Sequence, residues 1–419
     1  GPLSLHQALN SAIPFSRLPV NTAAGIGLGR KKKDHLDQAE DGTYSFKPVV
    51  ALEFDRYCQD FANGEQRPIL SATVKDELRK VSKVVMALER VFCASPFFFT
   101  VICRMYLMPV LVFMMDHNVM FEHAVGINAM SLDWESLYNY LRKHKYNLAA
   151  DFKHFDQSHL RIFMKLFISM CVNIAKKYLN YTDFDIMMLI RILTCCVFYL
   201  VSVKGDLVEP TQGVGSGLPI TVFINCFMAS MYLRLAWYMS VNMGVFQGEF
   251  RESNNLITFG DDHILNTLQN LFGFVRIRDV LAVFGIVYTP ADKSDAEFDF
   301  QPFETITFLK RGFKPTTYKG KTYIFCPLEW DSIYKSLLYV KCDINLEKHQ
   351  LAQNIVDAHK QFFFWGPEVF EEEKLYLQEL STQYEINIQA EGSVSSLRWY
   401  SYDELLSQYK EKKLVLAFV

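Results

Sequence analysis

Apolar positions recur at helical spacing over residues 160–203, 327–341 and 348–384. Between the first two of these, and just before the first, five short runs read as strands, at 146–150, 256–259, 263–265, 285–288 and 305–309. None alternates strictly between apolar and polar positions. Strands of that kind set among helices predict an α+β chain, with a mixed sheet carrying helices on one face. Residues 1–50 show little periodicity and many Gly, Pro and Lys, which predicts loops lying over something else. The last hundred residues are mostly helical in pattern, with an acidic cluster at Glu371-Glu372-Glu373, and read as a separate helical lobe.

Composition narrows the class. At 419 residues, 50% hydrophobic and 15% aromatic, the chain is too long for one small core, so two or three subdomains are expected. Disordered, collagen-like and mucin-like chains are excluded. A net charge of -3 argues neither for nor against an anionic partner, although the run Arg30-Lys31-Lys32-Lys33 shows that charge is unevenly spread. The nine cysteines include no Cys-x-x-Cys pair, which predicts buried, reduced thiols in a cytoplasmic protein. No signal peptide is expected at the N-terminus, where Gly1-Pro2 reads as a tag-cleavage scar. The apolar stretches 91–115, 186–203 and 218–246 contain Arg104, Arg191 and Arg234. An arginine costs roughly 2.5–3.5 kcal/mol at mid-membrane, so core helices are expected there.

Candidate chemistry starts with two sets of carboxylates. In Leu256-Ile-Thr-Phe-Gly260-Asp261-Asp262-His-Ile-Leu265, two apolar runs flank a Gly-Asp hairpin signal. A solvated turn is the plain reading; yet two adjacent carboxylates at a tight tip repel unless a cation lies between them. Mg2+ is such a cation, taking one or two carboxylates plus phosphate oxygens and water. The second set is Leu148-Ala-Ala-Asp151-Phe-Lys-His-Phe-Asp156. Asp151 is either punctuation at a strand end or, beside the hairpin, a partner of Asp261 in a two-metal site for phosphoryl transfer. Asp156 is either a helix-start residue or part of that site.

The stretch Gln212-Gly213-Val-Gly215-Ser216-Gly217-Leu-Pro219-Ile-Thr221-Val-Phe-Ile-Asn225 predicts a flexible loop, with Pro219 in the first turn of the helix that follows. Thr221 and Asn225 share a face of an otherwise apolar helix. They are either satisfied core groups or contacts for a ribose hydroxyl and a carboxylate such as Asp156. The basic residues Lys75, Arg79, Lys80, Lys83 and Arg90 form either a solvated face or a channel for triphosphates and a nucleic-acid backbone. Lys293 is a loop lysine, and Lys310-Arg311 either cap a hairpin or grip a backbone.

Taken in order, these motifs resemble the RNA-dependent RNA polymerases of picornaviruses and related positive-strand RNA viruses. The resemblance covers residues 21–315: Lys75-Asp-Glu-Leu-Arg79 with Arg90, Asp151-x4-Asp156, Ser216-Gly217-x3-Thr221-x3-Asn225, Gly260-Asp261-Asp262, Thr289-Pro-Ala-Asp-Lys293, and Phe308-Leu-Lys310-Arg311. Each is weak alone, and six in this order are specific. The resemblance implies a right-hand fold: fingers over 1–107 and 161–212, a palm over 108–160 and 213–315 whose mixed or antiparallel sheet packs on helices, and a helical thumb over 316–419. It implies Asp151 and Asp261 as metal ligands with Asp262 supporting them, and Mg2+ as the cofactor with Mn2+ as a substitute. Asp156, Thr221 and Asn225 would sense the ribose hydroxyls, Ser216 and Gly217 lie in a closing loop, and Lys83 and Arg90 hold the triphosphate. Lys293 would be a general acid, Lys310 and Arg311 would support the primer end, and Lys75 and Arg79 would touch RNA.

Phe259 stands where a tyrosine often precedes Gly-Asp-Asp, and Leu88 where a basic residue is common. The segment before Thr22-Ala-Ala-Gly25 is expected to be shorter than in relatives, leaving the fingers-thumb ring less closed. The implied reaction is RNA-templated nucleotidyl transfer to a primer 3′-hydroxyl with pyrophosphate release. Template RNA, nucleoside triphosphates, a primer (protein-linked in relatives) and viral replication proteins are the expected partners, in cytoplasmic complexes on host membranes. Two readings compete: a reverse transcriptase, which Asp156 disfavours because an aromatic steric gate is expected there, and a non-catalytic RNA-binding scaffold whose carboxylates are turn residues.

Overall fold

The structure is a computed structural model and describes residues 1–11, 17–77, 79, 81–291, 298–340, 346–386 and 398–416. Its axis is the strand Tyr146–Phe152, built on the apolar run Leu148-Ala149-Ala150. The strand Asp262–Thr267 pairs antiparallel along one side, Leu148 opposite Leu265 and Ala150 opposite His263. Along the other side lies Tyr288–Pro290, with Thr289 opposite Asp151. Asn254–Phe259 completes the hairpin and the sheet, with Phe259 opposite Asp262.

Successive residues of these strands enter two different cores. Leu148, Ala150, Phe152, Leu256, Leu265 and Tyr288 join a cluster with the helices Thr221–Asn242 and Phe274–Ala282. Ala149, Ile257 and Ile264 join a second cluster with Trp134 and Leu137 of the helix Leu132–Tyr140 and with the C-terminal lobe. Both faces are therefore covered, where the sequence pattern predicts helices on one. That is the physical reason the strands do not alternate: a strand buried on both sides has no wet face.

A second four-stranded sheet runs in the order Val91–Ala94, Ile69–Val74, Leu200–Val203, Asp206–Val208. Its inner pair is parallel and its outer pairs antiparallel. The helical pattern of 160–203 resolves into Arg161–Tyr178 and Asp183–Val197, followed by the strand Leu200–Val203. The break is set by Thr182, whose side chain caps Asp185 N–H while Asp185 returns the bond to Thr182. Residues 1–50 hold a short helix, Leu5–Asn10, and a small hairpin, Leu36–Gln38 with Tyr44–Phe46. They lie over the helix Phe97–Tyr106, where Leu3 N–H donates to Met105 O and Phe97 N–H to Ala24 O.

The C-terminal lobe carries the hairpin Lys314–Tyr318 with Lys321–Phe325 and the helices Trp330–Leu337, Glu347–Phe362, Pro367–Gln383 and Tyr402–Lys410. The periodic stretch 348–384 is interrupted at Gly366-Pro367, which ends one helix and begins the next. Two predicted strands change. Residues 285–288 give way to a strand at Tyr288–Pro290, and 305–309 are not a strand: a 3-10 turn at Phe303–Thr305 leads into a tight turn closed by Phe308 and Arg311.

No single helix among the described residues is long and apolar enough to cross a membrane. The pair Phe97–Tyr106 and Met108–Asp116, bent by 49°, is apolar enough in composition, but Phe97, Phe99, Val101, Ile102 and Val110 are fully buried in the protein's own core. The eight described cysteines are free thiols.

Candidate active site

Register places the carboxylates. Ala150 lies opposite His263, so Asp151 falls at the level of Asp262, next to the turn Gly260-Asp261. Gly260 has φ +70°, a left-handed conformation that suits glycine at this tip. Asp261 and Asp151 come within hydrogen-bonding reach of each other, although more than a hundred positions separate them in the chain. Burial, and next the Asp151 charge, push the Asp261 carboxyl above its ordinary range. Asp262 is pushed up to about 7, chiefly by burial. Its Oδ2 accepts the Leu309 N–H at 2.7 Å, so this carboxylate is anchored to the protein's own backbone.

The tip is held at each of its residues. Gly260 N–H donates to Cys226 Sγ at 3.2 Å, and the Asp261 carbonyl lies 2.9 Å from His263 Nδ1. Among the described residues no cluster of three or more His, Cys, Asp or Glu is placed to hold a metal ion. A divalent cation such as Mg2+ does not need one: it takes one or two carboxylates and completes its shell with water and phosphate oxygens. Two acidic side chains in reach of each other, the charge of one raising the proton affinity of the other, are a donor set of that kind, and Asp151 with Asp261 fit it.

A second polar group lies beside the first. Asn225 Nδ2 donates to Asp156 Oδ1 at 2.6 Å, from the helix Thr221–Asn242 to the turn after the central strand. The Asp156 carboxyl is pushed up by burial and by Asp261, and pulled down by the Asn225 amide and by Arg90. Asn225 Oδ1 is buried with no hydrogen-bond partner among the described residues. A buried acceptor left open in this way is costly unless a ligand meets it. Thr221 Oγ1 donates to Gly215 O at 2.7 Å, tying the helix start to the glycine loop. Pro219 falls in the turn before this helix, not in its first turn. The loop is wedged between two elements: Cys93 N–H donates to Ser216 O at 2.6 Å, Gly217 passes against Cys93, and a side chain at Gly213 would collide with Asp156 O.

The basic set is placed around an acid. Glu77 is 3.4 Å from each of Lys75, Arg79 and Arg90. Arg79 also donates to Leu88 O at 2.7 Å, and Lys75 N–H to Arg90 O. These residues line a cleft of about 410 Å³ with Val74, Val84 and Glu89. Lys83 stands on the exposed helix Val81–Val85. Arg90 is the member whose charge reaches Asp156.

Lys310 donates to Ser332 Oγ at 3.4 Å. Arg311 turns into the C-terminal lobe, donating to Cys326 O and Gln361 Oε1, both at 3.0 Å. Leu309 and Lys310 both have positive φ, 54° and 61°, a turn usually given to Asn-Gly. Lys80 and Lys293 lie outside the described residues. The motifs do not single out Glu77, Cys226, His263 or Leu309 as functional. Glu77 stands inside Lys75-Asp-Glu-Leu-Arg79 and His263 directly after Asp262, so position is their only signal; Cys226 and Leu309 act through a thiol and a backbone amide, which no motif shows.

A four-stranded antiparallel sheet with carboxylates at its hairpin tip, set between two helical masses, defines a right-hand polymerase. The model of the family described as viral RNA-dependent RNA polymerase matches residues 3–381, and the chain belongs to that family of nucleotidyltransferases. It is 27% identical over 387 residues to the replicase polyprotein of Drosophila C virus, covering 88% of this chain and 21% of that protein. It is 27% identical over 371 residues to the replicase polyprotein of Cricket paralysis virus, covering 84% and 20%. The RNA1 polyprotein of Satsuma dwarf virus is 27% identical over 383 residues, covering 86% of this chain and 18% of that protein. The chain thus spans about a fifth of the length of the curated relatives it matches. Among solved structures, the Sicinivirus 3Dpol RNA dependent RNA polymerase superposes with a TM-score of 0.78 at 18% identity, over 99% of this chain and 82% of that one. That likeness establishes the right-hand fold.

Proposed function

We propose that this chain copies an RNA template, joining nucleoside triphosphates to a primer 3′-hydroxyl with release of pyrophosphate, in the replication of a viral RNA genome. The observation that carries the reading is the convergence of Asp151 and Asp261 at the end of the central sheet. Both would hold a divalent metal, Mg2+ or Mn2+, which when bound lowers the pKa of the attacking hydroxyl and neutralises the triphosphate. Asp262, tied to Leu309 N–H, fixes the tip instead of joining the reacting atoms. Arg90, with Lys83 on the same arm, meets the triphosphate.

Asn225 Oδ1, open and buried, accepts from the ribose 2′-hydroxyl while Asp156 holds the amide in place. A deoxynucleotide leaves that acceptor unmet, which favours RNA over DNA synthesis. Base pairing selects the nucleotide, so the protein reads backbone and shape. Fingers over 1–107 and 161–212, palm over 108–160 and 213–315, and thumb over 316–419 are the matching division. Lys293 is assigned as the proton donor to pyrophosphate, and Ser216 and Gly217 as part of the closing loop. Lys75, Arg79, Lys310 and Arg311 are assigned to the RNA and primer side, Arg311 acting through its hold on the C-terminal lobe. Template RNA, a primer that is protein-linked in the cell, and other viral replication proteins are the partners, in membrane-associated complexes in the cytoplasm of the host.

Primer extension on a primed RNA template, with ribo- or deoxynucleotides and with or without Mg2+, tests the reading. Asp261→Ala or Asp151→Ala should reduce incorporation to background. Asn225→Ala should narrow the preference for ribonucleotides by roughly 10–100-fold, the ~1–3 kcal/mol of one unmet buried polar group. No incorporation above background by the native chain would leave it an RNA-binding scaffold. Incorporation unchanged by Asp261→Ala would remove these carboxylates from the reaction, and equal use of deoxynucleotides by the native chain would make it a reverse transcriptase.

A further inference from the structure

Behind the hairpin tip, on the face of the sheet turned away from Asp151, lies a hydrogen-bonded relay that the motifs do not contain. His263 is fully buried. Its Nδ1 lies 2.9 Å from the backbone carbonyl of Asp261, and its Nε2 lies 2.8 Å from the hydroxyl of Tyr288. A carbonyl oxygen only accepts, so Nδ1 carries the proton. The bare Nε2 must then accept, and Tyr288 donates its O–H. One tautomer satisfies both bonds.

The relay crosses the central strand. His263 pairs with Ala150 on one side, and Tyr288 pairs with Phe152 on the other. Ala150, with one methyl group, leaves room for the two side chains to meet above it. Phe152 packs against both rings, at 5.2 and 5.1 Å between centroids. A histidine kept only for its volume has no need of partners. His159 is equally buried, and neither of its ring nitrogens has a hydrogen-bond partner among the described residues.

The geometry points to His263 and Tyr288 as positioning residues for the polymerase centre: they fix the peptide that carries Asp261, and through it the aim of that carboxylate at Asp151. Rotation of this peptide swings Asp261 away from Asp151, and the His263 N–H resists it from behind. Tyr288 orients the ring, in the way an outer partner orients a ligating group. Thr289, the next residue, donates to the Asp151 carbonyl at 3.3 Å, so the same short strand supports the second carboxylate. The inference rests on the polymerase reading and concerns how the centre is held.

Four variants test it: His263→Leu, His263→Asn, Tyr288→Phe, and the His263→Leu/Tyr288→Phe double. Three measurements are made: primer-extension kcat and nucleotide KM, Mn2+ affinity by electron paramagnetic resonance titration of the protein without RNA, and thermal melting. His263→Leu should lower kcat and Mn2+ affinity roughly 10–100-fold, with nucleotide KM within about twofold of the native value. His263→Asn keeps an N–H near the place of Nδ1 and should restore most of both. Tyr288→Phe should give an intermediate loss, and the double variant should be no worse than His263→Leu, because the relay acts as a unit.

Native kcat and Mn2+ affinity in a folded His263→Leu protein would overturn the inference. So would His263→Asn as poor as His263→Leu with both melting as the native chain does, or additive losses in the double variant. If His263→Leu does not fold, His263→Asn and Tyr288→Phe decide the matter in the same way. Absence of extension by the native protein would sink the polymerase reading instead, and Mn2+ affinity would still score the relay.

Discussion

Asp262 shows how far its surroundings can perturb one carboxyl. Buried beside two other carboxylates, it is pushed up to about 7, and it accepts a backbone amide from a turn 47 residues away. A carboxyl whose folded pKa exceeds its unfolded value holds a proton in the folded state that the unfolded chain has released. The Asp262 contribution to stability without metal therefore falls as pH rises from about 4 to about 7, and is flat on either side of that window. Asp262→Asn removes this proton, keeps an oxygen to accept the Leu309 N–H, and should flatten most of the slope. Each tenfold change in proton affinity is worth ~1.4 kcal/mol, so the difference reaches a few kcal/mol at most. Denaturant unfolding of both proteins across pH 4–8 in a chelator measures it; equal slopes would mean that Asp261 and Asp156 carry the effect.

The arm that carries the basic residues is organised around an inward acid. Lys75, Arg79 and Arg90 share Glu77 at 3.4 Å, half or more of the Arg90 side chain remaining exposed. On the proposed reading, a triphosphate that meets Arg90 competes with Glu77. Glu77→Gln should therefore lower the nucleotide KM, by up to about fivefold given the ~0.2–1 kcal/mol of an exposed ion pair, with the gain fading at high salt. A rise in KM would mean that Glu77 instead orders the arm. In the sequence this segment reads as a row of cations, because spacing shows which residues share a face and not which carboxylate folds back among them. The hairpin tip was legible for the opposite reason. Its strands, its turn and its acids are contiguous, and Asp151 needed only a neighbouring strand. Arg311 was not legible: the atoms it bonds, on Cys326 and Gln361, come 15 and 50 residues later, from a lobe whose packing no local pattern records. The same holds for 305–309, where apolar residues that read as a strand are instead used to pack a turn against the second core.

At the scale of the whole molecule, the central sheet joins two cores, and a buried ion pair stands where loop, sheet and helix meet. The backbone of Glu122 lengthens the sheet's outer edge: Thr258 N–H donates to its carbonyl at 2.9 Å, and Ala124 N–H donates to Thr258 O at 2.8 Å. Its side chain, in a residue 4% exposed, takes two bonds from Arg234 and one from Ser230, all at 2.7 Å, so the long helix Thr221–Asn242 is locked to that edge. The same helix bears Asn225 and Cys226, which reach Asp156 and Gly260. Stability and site geometry thus share one support. Glu122→Ala strands a guanidinium in the core and should cost about 3–5 kcal/mol, whereas Glu122→Leu with Arg234→Met removes both charges together and should cost far less. Hydrogen exchange separates this from a merely local effect: in Glu122→Ala the amides of Asn254–Phe259 should exchange faster, while those of the C-terminal helix Tyr402–Lys410, packed in the other core, should keep the native rate. Uniform acceleration of both would mean that the two cores unfold as one unit and that the sheet transmits the loss between them.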